Sequence, residues 1–192
     1  MSSLFCPQEA TGDKQARGFT LIEIMTVMAI IGILASIAVV FFGNQRTNAF
    51  NASALAAVNE VLKKNELLFV EFATYGTTRT RATQKARKKG DLITAPATGY
   101  LATSQNSKNN PQYVAFTLSE GVSVVVAADS TYASFVITAK HISGDLRYCY
   151  DSESNAIYYD NKYAVGTALT RGRALASVLN RNDCEKARMT AL

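Results

Sequence analysis

Residues 19–42 read FTLIEIMTVMAIIGILASIAVVFF, and the fold turns on what this stretch does. Its one charge is Glu23. As an α-helix rising about 1.5 Å per residue, it extends roughly 36 Å. A bilayer core is about 30 Å thick, so the stretch is long enough to cross one. No proline interrupts it, and Gly32 is its only glycine. The preceding residues, MSSLFCPQEATGDKQARG, are polar and end in Lys14, Arg17 and Gly18. Lys14 and Arg17 favour a cytoplasmic N-terminus and an exported C-terminal part. Arg46 on the other flank makes that bias a weak one.

Three readings compete. A cleaved secretory signal has an apolar core of about 7–15 residues ending in small residues. This run is longer, carries a carboxylate near its start, and offers only Ser36-Ile37-Ala38 as a poor cleavage site. A plain membrane anchor explains the length but not Glu23. A carboxylate costs about 2.5–3.5 kcal/mol near a membrane-helix centre, and less near its end. Locally, Thr20-x-x-Glu23 is a capping-box pattern, and an acid in the first turn suits the helix dipole. That accounts for the residue type, not for its place at the head of an apolar run just after Arg17-Gly18.

The third reading starts from Gly18-Phe19-Thr20-Leu21-Ile22-Glu23 followed by IMTVMAIIGILASIAVV. This resembles the N-terminus of type IV pilins and of the pseudopilins of type II secretion. The resemblance implies a leader, residues 1–18, removed by a prepilin peptidase between Gly18 and Phe19. It also implies N-methylation of Phe19 and a role for Glu23 in assembly. The physics fits: the carboxylate of one subunit meets the new α-amine of its neighbour, where an apolar setting strengthens the attraction. There are departures. Val40 stands where many pilins have a proline, so the helix should kink less. The leader is also longer than the shortest in its class.

Residues 43–75 are amphipathic. Leu55, Val58, Leu62, Phe69 and Phe72 recur at helical steps with Val61 and Leu68 beside them. No breaker but Gly43-Asn44 separates this stretch from the apolar run. One continuous helix from about residue 19 to 74 is expected, roughly 80–85 Å long. Its second half should pack on a sheet of its own subunit.

Residues 76–111 are polar and basic. Arg79, Arg81, Lys85, Arg87, Lys88 and Lys89 fall together with no acid among them. They are candidates for binding DNA or another acidic polymer, against the plainer reading of a solvated loop. No aromatic lies between Arg79 and Lys89, so base stacking has no support there. A long connecting loop is expected, with a short helix around residues 83–89.

From residue 112 on the signals are β. Runs at 113–118, 122–127, 132–140, 146–150 and 156–159 are rich in Val, Ile, Thr, Tyr and Phe. Hairpin-type breaks separate them. The expected fold class is α+β: a long N-terminal helix packed on a four- to five-stranded antiparallel meander. This layout also resembles the pilin globular domain. A further helix is expected near residues 170–179, and His141, at a strand end, reads as structural. The resemblance implies a disulfide between Cys149 and Cys184 closing the C-terminal region, residues 112–192; two buried free thiols are the alternative. Cys6 lies in the leader.

Composition narrows the function. The chain has 192 residues, 48% apolar and 18% charged, with one His, three Cys and no Trp. There is no Cys-x-x-Cys and no recognisable setting for a His-based nucleophile. These features argue against metalloenzymes, haem proteins and His-dependent hydrolases; no enzyme activity, cofactor or metal is expected. The leader is neutral, so the net charge of +5 belongs to residues 19–192. The expected function is a structural subunit of a type IV pilus, polymerised through its N-terminal helix. Alternatives are a type II secretion pseudopilin or minor pilin, and a membrane-anchored exported module binding through the basic loop. The implied partners are the prepilin peptidase, an assembly platform, other copies in a helical filament and the inner membrane before assembly. The implied location after assembly is an extracellular pilus or a periplasmic pseudopilus.

Overall fold

The computed structural model describes residues 18–82, 84–103 and 112–192. The leader with Lys14, Arg17 and Cys6, the predicted helix start at Thr83, and the polar stretch 104–111 lie outside the described residues. The chain divides into two units, Met1–Phe42 and Gly43–Leu192.

One helix, α1 (Leu21–Phe72), runs through 52 residues. It opens on the expected capping box. The Glu23 N–H donates to Thr20 Oγ1 at 3.3 Å, and the Thr20 N–H donates to Glu23 Oε2 at 3.4 Å. This pairs the Thr20 N–H and gives the Glu23 N–H, which also donates to Thr20 O at 3.1 Å, a second acceptor. Within the first unit every described side chain of α1 is exposed, and the helix there is long and apolar enough to cross a membrane.

In the second unit α1 buries a stripe at steps of three and four: Asn51, Ala54, Val58, Val61, Asn65 and Leu68. The predicted stripe is rotated from this. Val58, Val61 and Leu68 are fully buried, Leu55, Leu62 and Phe72 are half-buried, and Phe69 is exposed. The rotation follows from the two asparagines, which face inward to bond the backbone of the sheet domain. Asn65 Oδ1 accepts the Gly76 N–H at 2.7 Å and turns the chain off the helix end. Each fully buried Val or Leu contributes about 1.5–3 kcal/mol.

Eight further strands follow in the order β1 (Thr77–Arg79), β2 (Ile93–Thr94), β3 (Gly99–Ala102), β4 (Tyr113–Phe116), β5 (Val122–Ala128), β6 (Phe135–His141), β7 (Arg147–Asp151) and β8 (Ala156–Asp160). A 3₁₀ turn (Arg171–Arg173), a short helix α2 (Asp183–Lys186) and β9 (Thr190–Ala191) complete the chain. The main sheet is antiparallel in the order β2-β5-β6-β7-β8-β9, so the expected meander is β5 to β8 with a short strand added at each edge. The 113–118 run departs from the expectation. As β4 it pairs with β3 in a separate sheet of order β1-β3-β4.

Register sorts the side chains of the main sheet into two faces. Val124, Ala139, Tyr148 and Tyr159 stand opposite one another and join the core beneath α1. Val125, Thr138, Cys149 and Tyr158 form the adjacent row on the other face. The C-terminal tail covers that row through Leu169, Ala174, Cys184 and Met189. Covering both faces explains why every residue of β5, β6 and β7 is buried.

The tail is not the helix expected at 170–179. It is mostly irregular, with one 3₁₀ turn there and a helix of four residues later. Polar groups hold it instead. Leu175 N donates to Thr138 Oγ1 at 3.2 Å, and Val178 N to Asp183 Oδ2 at 2.6 Å. Asp183 N donates to Asp151 Oδ2 at 2.8 Å, and Glu153 accepts the N–H groups of Asn180 and Arg181.

Candidate functional site

The first candidate is the entry to α1. Residues 18–20 precede the helix, and Gly18 has open space where a side chain would begin. Phe19 is 79% exposed. Glu23 sits one turn inside, and its carboxylate is held by Thr20, with the hydroxyl and Oε2 at 3.4 Å. Among the described residues no cation pairs with Glu23. The described apolar side chains that follow, between Leu21 and Phe42, present no buried face within their own unit. An exposed apolar helix of this length, with one carboxylate at its head, is built to be covered by lipid or by other helices.

The second candidate is the basic stretch, and the structure reorganises it. The expected short helix is absent among residues 84–89, and the region is not one loop. Arg79 lies in β1, is buried, and pairs with Asp91 at 3.2 Å. It therefore leaves the set of surface cations. Arg81, Lys85, Arg87 and Lys88 are exposed and Lys89 is half-buried. The backbone between them is pinned. Ala86 N donates to Thr103 O at 3.2 Å and Arg87 N to Thr77 Oγ1 at 3.1 Å. Ala128 N donates to Lys88 O at 2.8 Å, and Lys89 bridges to Ala127. Arg171, which the sequence did not connect with this stretch, donates to Lys89 O at 2.8 Å and reaches Asp91 at 3.7 Å.

Gly90 explains how closely this segment is seated. A Cβ there would stand 2.2 Å from Val126 O and 2.3 Å from Thr78 Oγ1. Thr78 uses its hydroxyl twice, donating to Asp91 O at 2.6 Å and accepting the Val126 N–H at 3.0 Å. It thereby links the small sheet to β5. A lone glycine between the basic run and Asp91 is the sequence signal for such a close approach.

The third candidate is the disulfide. Cys149 on β7 and Cys184 on α2 are bonded, with Cα atoms 6.0 Å apart and both residues fully buried. The bridge closes 35 residues of chain. In the chain-entropy model this contributes about 3–4 kcal/mol.

Two groups hold the turn between β6 and β7, and sequence reading left out the first of them. Lys140 is 1% exposed and donates from Nζ to Gly144 O at 2.6 Å and His141 O at 3.1 Å. Burial pulls its pKa below the ordinary lysine value, with Asp145 opposing and Arg173 assisting. His141 is structural, as expected: its ring stacks on Phe50 at 4.4 Å and its Nδ1 accepts the Ser143 N–H at 2.9 Å. No group of metal-ligating side chains occurs among the described residues.

Residues 13–39 match the family model described as the prokaryotic N-terminal methylation motif. The match covers the leader's end, the Gly18-Phe19 junction, Glu23 and most of the apolar run. No solved structure matches this chain. This motif is the class III signal peptide typical of type IV pilins and pseudopilins, families that are generally structural and not enzymatic. It implies processing by prepilin peptidase, and with the apolar helix it points to membrane insertion and export. The motif at the head of a long helix, that helix packed on antiparallel sheet, and the Cys149–Cys184 bridge together mark the chain as a type IV pilin-like prepilin.

Proposed function

We propose that this protein is a structural subunit of a type IV pilus. In this reading residues 1–18 are removed, Phe19 becomes the methylated N-terminus, and residues 19–42 form the assembly half of the helix. Before assembly those residues sit in the inner membrane, and an assembly platform draws them out into a filament of like copies. Residues 43–192 then face the outside of the filament.

The observation that supports this reading is the pairing of an exposed apolar helix with a carboxylate at its head. All its apolar side chains need cover, and helix packing between copies supplies it. Glu23 then meets the α-amine of a neighbour in a low-dielectric setting. The disulfide-closed domain suits a subunit exported to an oxidising space outside the cytoplasm.

Abundance in the sheared surface fraction tests the proposal. A pilus subunit is plentiful there, as filaments that antibodies to the globular domain decorate along their length. A pseudopilin or an anchored monomer stays with the cell envelope, and that outcome rejects the pilus reading.

A further inference from the structure

Beside the basic stretch lies an open groove of about 370 Å³. Lys88, Lys89, Ser130, Val178 and Leu179 line it with Ser177, whose hydroxyl is bonded to Ser134 Oγ at 3.0 Å. Its size falls within the usual range for small-ligand pockets.

The positive charge of this groove is only partly offset within the protein. Between residues 73 and 119 the only acid is Asp91, and Arg79 and Arg171 already share it. No ion pair holds Lys88 or Lys89 among the described residues. Asp129 also lines the groove and keeps its negative charge, which leaves the two lysines in excess; its oxygens are occupied by the N–H groups of Thr131 at 2.7 Å, Ala133 at 2.8 Å and Ser134 at 3.0 Å, and by the Thr131 hydroxyl.

The backbone that carries the cations is held in place. The backbone carbonyls of Lys88 and Lys89 are both occupied, by Ala128 N and Arg171 Nη2, and Gly90 is pressed against Val126 and Thr78. A ligand therefore loses little affinity to ordering the backbone that carries the two ammonium groups.

We propose that this groove binds an acidic sugar residue, of the uronic acid class, within an extracellular polysaccharide. The two ammonium groups take the sugar carboxylate. The Ser130 hydroxyl bonds a ring hydroxyl. The exposed sides of Val178 and Leu179 pack against the C–H face of the ring. A nucleic acid uses less of this site. A phosphodiester gains nothing from the apolar wall, there is no aromatic platform for bases, and duplex affinity scales with the number of phosphates neutralised. The proposal rests on export of residues 43–192, not on polymerisation.

The test uses the purified full chain in neutral detergent, so that failure to form filaments does not affect it. Binding is measured for oligogalacturonate, a neutral dextran oligomer of matched length and a short DNA duplex. Oligogalacturonate should bind, dextran should not, and the duplex should bind more weakly at equal charge. The double variant Lys88→Gln, Lys89→Gln should weaken oligogalacturonate binding about tenfold or more. Leu179→Ser should weaken it without any change of charge. Lys162→Gln with Lys186→Gln, which removes the same charge elsewhere, should leave it intact. Circular dichroism and the intact Cys149–Cys184 bridge confirm folding of each variant, and Leu179→Ser serves if the lysine pair does not fold. No oligogalacturonate binding, tighter binding of the duplex, or equal loss in the control pair overturns the proposal.

Discussion

Asn51 on α1 donates its Nδ2 to Asp145 Oδ1 at 2.6 Å, across 94 residues of sequence. The same side chain accepts the Leu146 N–H at 3.2 Å. One buried amide thus holds the end of the turn that leads into β7 against the helix. The fit is tight enough that a Cβ on Gly144 would stand 2.5 Å from Asn51 Oδ1.

Asn51→Ala should destabilise the globular domain by about 1–3 kcal/mol, the cost of leaving partly buried polar partners unpaired. Asn51→Asp should be worse, because it sets a second carboxylate against Asp145. Urea unfolding followed by circular dichroism compares the three proteins. An Asp variant as stable as wild type shows that the contact does not hold the turn.

Processing is predicted to leave Phe19 first. Intact mass and N-terminal sequencing of envelope material should show a chain starting at Phe19 and carrying one added methyl group. Gly18→Val should accumulate the uncut chain, since the prepilin reading requires a small residue at the Gly18-Phe19 junction. A start after Ala38 instead defeats the prepilin assignment.

Glu23 separates two roles that act through the same atoms. Glu23→Gln keeps an oxygen to accept the Thr20 N–H and so keeps the cap. Glu23→Ala loses cap and charge together. If the charge drives assembly, both variants should be inserted and cleaved yet fail to form filaments. Recovery of filaments by the Gln variant alone shows that the carboxylate serves only as a cap.

Cys184→Ser should cost about 3–4 kcal/mol and free the tail for proteolysis between residues 164 and 189. The tail's own apolar burial is small, chiefly Leu169, Ala174 and Met189. Limited trypsin digestion under non-reducing conditions reads this directly. A protected tail in the variant means that the Asp151, Glu153 and Asp183 hydrogen bonds suffice without the bridge.

Asp129 should make the domain acid-sensitive. Burial alone would raise its pKa, but the Thr131 hydroxyl and the N–H groups of Ser134, Thr131 and Ala133 hold it below the ordinary 3.8. The folded state therefore releases this proton more readily than the unfolded chain. The resulting stability is complete above 3.8 and is lost as pH falls through the lower folded value. Asp129→Asn should be less stable at neutral pH, and the gap to wild type should narrow on acidification. A gap that stays constant down the acid limb would show that the carboxylate charge contributes nothing.

The features legible in the sequence were local or compositional. The capping box needs only Thr20 and Glu23 three residues apart, and the helix needs only periodicity without breakers. The strands from Val122 to Asp160 announced themselves through β-branched and aromatic runs cut by turn residues. Phase was harder. The stripe drawn through Leu55, Leu62 and Phe69 missed Asn51 and Asn65, because a hydropathy pattern treats a buried amide as a surface residue. The tail failed for a related reason. Residues 170–179 have modest helix propensity, but Thr138, Asp151 and Glu153 offer its backbone better partners from other parts of the chain.

The sequence by itself determined the N-terminal motif, the long helix, the α+β class and the pair of cysteines available for a bridge. Each of these depends on residue types at short spacing, or on the oxidation of two thiols left outside the leader. Only the tertiary structure decided which cations remain at the surface. Arg79 and Arg87 look alike in a basic run, yet one is buried against Asp91 and the other is exposed. The difference arises because β1 pairs with β3 and turns Arg79 inward, where a charge needs a partner. That pairing joins Arg79 to Tyr100, and no short-range pattern encodes it.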